Sequence, residues 1–149
     1  MLFAVQQHRD ASIARAEQSV AEFRQEKKWA ATVLKLPGIA PVDQKLARDR
    51  ARKAIEQWDE STGQAPWGWI SESQRAELRR DLGELLLVSA AAEVRSASRD
   101  DPKPNLAEAA RLNTAAEKYL RGAAGERALW RQRAAIAQLS GHAQESDYY

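Results

Sequence analysis

The apolar positions along the chain predict a series of amphipathic helices, and the longest apolar stretch lies in the third of them. Leucines recur at helical spacing where this stretch begins, at Leu78, Leu82, Leu85 and Leu86. From Leu85 to Ala92 the helix is apolar on nearly every side. Because a helix that is apolar all round must be covered by several others, we expect helix three, from Ser71 or Ser73 to about 96–98, to be the centre of the fold.

A pair of helices is predicted before this central helix. Helix one spans 3–34 and ends at the proline and glycine of 37–38, and helix two spans 42 or 43 to 60. The buried stripe of helix one is predicted to be Val5, Ile13, Ala16, Val20, Phe23, Ala30 and Leu34. That of helix two is predicted to be Val42, Leu46, Ala47, Ala51, Ala54, Ile55 and Trp58. Lys27 interrupts the first stripe, which favours a long helix packed against one or two neighbours over a dedicated coiled coil.

A polar segment with two prolines, 99–105, follows helix three and predicts a flexible, exposed linker. Asn105 has the side chain of a helix cap, with Glu108 three residues later as its reciprocal partner, so helix four is expected over 106–120. Its buried side is predicted to be Ala109, Leu112, Ala116, Tyr119 and Leu120. Ser71 and Gln74 predict a capping box of the same kind at helix three.

Helix five is predicted after the glycine-containing break at 122–125, over 126–139, with Gly141 closing it. Its apolar set is Leu129, Trp130, Ala134, Ile136, Ala137 and Leu139. The residues after Gly141 would start a sixth helix that has no room to finish, so we expect either that the chain is a piece of a longer protein or that a partner completes its last helix.

The composition supports an all-α fold in one domain. The 149 residues include only 7 Gly and 5 Pro and no cysteine, which excludes disulfides, thiolate catalysis and cysteine-ligated zinc. The apolar run of helix three is far shorter than the roughly 20 residues that cross a bilayer. The 23 basic and 21 acidic residues give a net charge of +2, and we interpret the basic patch at 45–53 as a solvated helix, so a nucleic-acid partner is not favoured.

The sequence contains no recognisable catalytic, metal or cofactor motif. Its two histidines, His8 and His142, lie at opposite ends of the chain and form no zinc signature. Glu93 could be a buried carboxylate suited to acid-base chemistry, but solvation at the edge of helix three is the favoured interpretation. We therefore predict a protein that is not an enzyme and that needs no cofactor.

The C-terminal part resembles a known family of helical repeats. The tetratricopeptide pattern combines an aromatic residue, small residues and a glycine at fixed offsets, which here are occupied by Trp130, Ala134, Ala137, Gly141 and Ser146. Over about 70–145 the chain is similar to the tetratricopeptide-like regions of bacterial multidomain signalling proteins, including those that follow serine/threonine kinase domains. The resemblance implies a helical-repeat interaction module, with a truncated repeat-like part at 71–149 that follows the N-terminal helical pair predicted from the apolar pattern at 1–62. A cytoplasmic location is expected because a chain without cysteine fits a reducing cytosol.

We accordingly expect a scaffold whose groove between helix pairs receives a protein or peptide partner. The candidate partner-binding residues are Trp67, Trp69, Arg75, Arg79 and Arg111, with the arginines pairing charges and a tryptophan serving as an aromatic anchor. Capping of the core is the favoured alternative for both tryptophans. Two further alternatives remain, a regulatory or oligomerising segment of an enzyme whose catalytic domain lies elsewhere and a nucleic-acid-binding helical domain. Self-association into a homo-oligomer is also left open.

Overall fold

The computed structural model describes residues 1–63 and 65–145, apart from the side chains at 62, 144 and 145. The chain is all-helical over these ranges and contains no strand there, which confirms the predicted all-α class. The elements in chain order are α1 (Leu2–Lys35), α2 (Pro41–Gln57), α3 (Glu72–Ser96), α4 (Lys103–Leu120) and α5 (Glu126–Glu145). Two 3-10 turns, Glu60–Thr62 and Trp67–Trp69, connect α2 to α3.

Helix α3 lies at the centre of the array and packs against the other four helices, most extensively against α4. It contributes to two clusters of buried side chains. Leu78, Leu82 and Leu85 belong to the cluster shared with α1 and α2, whereas Leu86 and Ala90 belong to the cluster shared with α4 and α5. The central position expected from the apolar run is therefore confirmed.

Ion pairs fix the direction of α1 relative to α3. Arg24 pairs with Glu77 at 2.7 Å, and Lys27 donates hydrogen bonds of 2.6 Å to both Asp81 and Glu84, so the two helices run parallel. Burial lowers the pKa of Lys27, but the hydrogen bonds to the two carboxylates outweigh burial and raise it. The gap in the apolar stripe at Lys27 therefore exists because acidic residues of α3 face it.

The capping box predicted at the start of α3 is confirmed, whereas the cap predicted at the start of α4 is wrong. The Ser71 side chain accepts from the backbone N–H of Gln74, and the Gln74 side chain accepts from the backbone N–H of Ser71, as predicted. Helix α4 begins at Lys103, before the expected cap at Asn105. Pro104 lies in its first turn, where the missing N–H of proline costs no hydrogen bond, so part of the predicted linker is helix.

Two helix ends also differ from expectation. Helix α2 stops at Gln57 rather than at residue 60, and the next residue, Trp58, is fully buried. Helix α5 continues through Gly141, where a helix interior is tolerated at a cost in propensity, to Glu145. The sixth helix predicted to start after Gly141 is therefore wrong at its start, because residues 142–145 belong to α5, and its remaining residues, 146–149, lie outside the described part of the chain.

Several side chains of the predicted apolar stripes and of the apolar set of helix five are exposed. On α1, the pairing of Arg24 with Glu77 places the start of α3 some way along the helix, so the first turns of α1 have no such neighbour and Val5 is 68% exposed. The exposed residues on the other helices are Val42, Leu46, Trp130, Ala134, Ala137 and Leu139. Helix α5 is covered along one side only, through Leu129 and Ile136, because α4 and α3 are its neighbours.

Candidate partner-binding groove

A groove of about 470 Å³ runs between α2 and α4, with α3 as its floor. The order of facing residues shows that α2 and α4 run in the same direction, since Arg48 and Asn105 meet at one end and Lys118 approaches Glu60 at the other. The floor and lower walls consist mainly of apolar side chains, namely Ile55, Leu86, Leu112, Ala115 and Tyr119. Grooves of this size with an apolar floor are typical binding sites.

The walls of the groove carry charged side chains at helical spacing. Arg48, Arg52 and Glu56 are four residues apart on α2 and therefore share one face. On α4, Glu108 and Arg111 line the opposite wall. Each wall thus carries charges of both signs, and neither is uniformly basic or acidic.

Glu93 closes one end of the groove and is 7% exposed, so its predicted solvation at the edge of the helix is wrong. Arg48 donates to both of its carboxylate oxygens at 3.3 and 3.4 Å, and the Asn105 amide donates at 2.9 Å. A buried carboxylate is stable when it is paired and hydrogen-bonded in this way. The Asn105 side chain is used in this contact, which joins α4 to α3 instead of capping α4.

Arg111, one of the predicted partner-binding residues, does line the groove and is already paired within its own helix. Its Nε and Nη2 donate to the two oxygens of Glu108 at 2.8 and 2.7 Å. This bidentate hydrogen bonding lowers the pKa of Glu108 and raises that of Arg111. The pair therefore presents a fixed carboxylate and a fixed guanidinium to anything that enters the groove.

Tyr119 lies at the other end of the groove beside a small charged network. Arg79 donates to Glu60, and Lys118 pairs with the same carboxylate at 3.4 Å. The Arg79 guanidinium also lies 5.3 Å from the centre of the Tyr119 ring, within the range of a cation–π contact. Burial, with a smaller effect of Glu60 and Asp59, raises the pKa of the Tyr119 hydroxyl. Arg79 thus reaches the groove through Tyr119 and is not one of its lining residues.

Ser89 places a hydroxyl at the floor between Leu86 and Glu93. The residue is 6% exposed, and its oxygen makes no hydrogen bond within the described part of the chain. Glu93, one turn further along α3, has both oxygens bound by cationic or amide donors, so it is not placed as a free base for this hydroxyl.

The other predicted partner-binding residues lie around the α2–α3 connection. Trp67 packs edge-on against Trp58 with ring centres 5.3 Å apart and donates from Nε1 to the Trp58 carbonyl at 3.2 Å, which makes it part of the cover of the core. Trp69 is 42% exposed, and Arg75 donates to the Ile70 carbonyl at 3.3 Å. None of these three side chains lines the groove.

Sequence reasoning missed the α2 wall of the groove. Arg48 and Arg52 were assigned to a solvated helix, and Ile55 to the buried stripe, although it is only partly buried. The available signal was the four-residue spacing from Arg48 through Arg52 to Glu56 on the side of α2 that also carries Ile55. What the pattern could not supply was the position of α4 opposite that face.

Across residues 1–63 and 65–145, no group of three or more histidine, aspartate and glutamate residues is arranged to hold a metal ion. None of the described helices has an apolar stretch long enough to cross a membrane. Comparison with protein-family models, with curated proteins and with solved structures finds no match to this chain.

Proposed function

We propose that this protein is a non-catalytic interaction module that binds a protein or peptide partner in the groove between α2 and α4. The observation that carries the proposal is an apolar surface, formed by Leu86 on the floor and by Ile55 and Leu112 on the lower walls, that lies open between two charged helices. An amphipathic helix binds such a groove through apolar anchors at i, i+3 or i+4 and i+7. The resemblance to tetratricopeptide-like regions agrees with this role and motivates the further proposal of a cytoplasmic bacterial signalling scaffold.

The dimensions of the groove suit the side chains of one helical face. The α2 wall extends from Arg48 to Glu56, which corresponds to about 12 Å at the 1.5 Å rise of a helix. A volume of about 470 Å³ accommodates a few apolar side chains and not a whole helix. The partner helix would therefore lie along the mouth of the groove for about two turns and insert its anchors toward Leu86.

The charges of the groove favour a polypeptide over a nucleic acid. Arg48 is bound to Glu93, Arg111 to Glu108 and Lys118 to Glu60, so most of the cations have a carboxylate partner already. Phosphate backbones are bound by basic patches whose charge is not neutralised. The presence of both signs on each wall instead suits a partner with side chains of both charges.

Site-specific photocrosslinking tests the proposal. A photoreactive amino acid replaces Thr114, an exposed residue at the rim, in the full chain expressed in its native host. We expect discrete adducts with a protein partner, and Ala115→Trp should abolish them because an indole fills the groove. Ala76→Trp, an exposed position on α3 that does not line the groove, is the matched control and should leave them unchanged. Adducts that persist in Ala115→Trp would show that the partner binds elsewhere.

A further inference from the structure

We propose that the groove selects an amphipathic partner helix carrying one acidic and one basic side chain a single turn apart, which pair with Arg52 and Glu56. This inference rests on the proposed function and adds the chemistry of the partner. It names a charge pattern on the partner that the α2 wall recognises, beside the apolar anchors that reach the floor.

Arg52 and Glu56 differ from the other charges of the groove because they lack partners. Both are exposed, and within the described part of the chain neither side chain forms an ion pair or a hydrogen bond. They lie four residues apart on one face of α2, which is one helical turn. Two unpaired charges of opposite sign are therefore presented side by side at the mouth of the groove.

Opposite charges face this pair across the groove. Besides the hydrogen bond from Arg111, the positive charge of Arg52 contributes to the lowered pKa of Glu108. Likewise, besides the hydrogen bond to Glu108, the negative charge of Glu56 contributes to the raised pKa of Arg111. Because Glu108 and Arg111 are bonded to each other, neither of them forms an ion pair with Arg52 or Glu56 across the groove. Arg52 thus faces the opposite charge of Glu108 across the groove, and Glu56 faces the opposite charge of Arg111.

A helix in the groove lies between these walls with its apolar face on Leu86 and Leu112. The flank that faces α2 meets a positive charge and then a negative one, so an acid and a base one turn apart are complementary to it. The flank that faces α4 meets the reverse order, at Glu108 and Arg111. Because Glu108 and Arg111 are already bonded to each other, Arg52 and Glu56 decide the preference, and a flank with two like charges is attracted to one of these two residues and repelled by the other.

The expected selectivity is modest because these are charge pairs at an exposed rim. Such pairs set orientation and specificity more than affinity, and two of them correspond to a roughly three- to thirtyfold preference. The apolar anchors on the floor supply most of the binding. The preference should weaken as salt is added, since exposed charges are screened over about 10 Å at 0.1 M ionic strength.

Four synthetic probes test the inference. Each is a lactam-bridged helical peptide with the same leucine anchors, and a single flank carries Glu and Lys, two Glu, two Lys or two Gln one turn apart. Affinities are measured by fluorescence anisotropy with the full chain. We expect the Glu-Lys probe to bind wild type most tightly. Glu56→Arg should transfer the preference to the two-Glu probe, and Arg52→Glu should transfer it to the two-Lys probe.

Two controls keep the outcomes distinct. Lys53→Glu reverses an exposed charge of α2 that does not line the groove and should leave the order of the probes unchanged, whereas Ala115→Trp should remove binding of all four. If the probes bind alike, or if neither charge variant changes their order, the charge pattern is refuted. Binding that is equal for all probes but lost in Ala115→Trp would refute this inference while leaving the groove as a binding site. Failure of every probe to bind wild type would also refute it, and the Thr114 crosslink then decides separately whether the groove is used.

Discussion

Gly83 allows α3 and α4 to approach closely, and its replacement by alanine should destabilise the fold. A Cβ atom built on Gly83 would lie 2.5 Å from Leu120 Cγ and 2.6 Å from Leu120 Cδ2. Carbon atoms in optimal contact are about 3.5–4.0 Å apart, so one of the two helices or the leucine must move by about 1 Å. Leu120 is fully buried, and its Cδ2 is also 3.0 Å from the Cβ position at Gly125, so it has little room to move.

Two opposing effects set the size of this change. Overpacking of a tight core costs about 1–3 kcal/mol. Alanine in place of glycine in a helix contributes about 1 kcal/mol of stabilisation. We therefore expect Gly83→Ala to lower the free energy of unfolding by about 1 kcal/mol net, within a range of about 0–2 kcal/mol. Gly141→Ala is the matched control because it also lies in a helix, and a Cβ there has no neighbour within 4 Å, so it should be neutral or stabilising.

Urea unfolding monitored by circular dichroism measures the difference, provided that the slope of the transition is the same for each variant. A double-mutant cycle with Leu120→Ala then isolates the clash. Leu120→Ala alone should cost about 2–5 kcal/mol, but it should cost about 1–2 kcal/mol less in the Gly83→Ala background, where it removes the overpacking. If Gly83→Ala is as stable as Gly141→Ala and the cycle is additive, the close approach of α3 and α4 at this point is refuted.

Three further predictions concern the core and its ion pairs. Leu86→Ala should cost about 2–5 kcal/mol in urea unfolding because Leu86 is 2% exposed at the centre of the array, and a cost below about half a kcal/mol would show that α3 is peripheral there. Lys27 has a raised pKa in the folded protein, so its contribution to stability is fully present below its unfolded pKa and is lost as the pH rises through the higher folded value. Between pH 9 and 11.5, Lys27→Met should therefore lose less stability than wild type, whereas Lys28→Met, at the exposed neighbouring lysine, should follow wild type. Glu108 has a lowered pKa, so its contribution is present above its unfolded pKa and is lost as the pH falls through the folded value. As the pH falls from 5.5 to 2.5, the urea midpoint of Glu108→Gln should decrease less steeply than that of wild type. Glu17→Gln, at an exposed site, is the control and should follow wild type. If the urea midpoints of all three proteins decrease equally steeply with pH, the ion pair between Glu108 and Arg111 does not contribute to stability.

Features encoded by neighbouring residues were predictable, and features that depend on distant residues were not. The apolar run of α3 predicts its central position, and the Ser71–Gln74 capping box follows from a spacing of three residues. At Asn105 the same local rule is wrong, because the side chain bonds to Glu93 of another helix while Pro104 is accommodated in the first turn. Local propensity was outweighed by a tertiary contact.

The groove was the least predictable feature for the same reason. Arg48 lies 45 residues before Glu93 in sequence, and nothing in the local pattern indicates that the two meet. A buried carboxylate with its cation on a different helix looks, in sequence, like an ordinary charge at a helix edge. Arg111 was identified as a candidate partner-binding residue, but the open side of the groove depends on how α2 and α4 are set on α3, which helical periodicity does not specify.

Since one wall of the groove belongs to α2 and the other to α4, the proposed binding site exists only while both helices pack against α3. A partner that contacts both walls therefore stabilises the packing of α2 and α4 on α3. At a concentration one hundred times its dissociation constant, the partner adds about 2.7 kcal/mol to the free energy of unfolding. By the same linkage, any tilt of the α1–α2 pair against α3 changes the width of the groove and hence the affinity for the partner. The affinity for the proposed partner is thus coupled to the packing of the α1–α2 pair against α3.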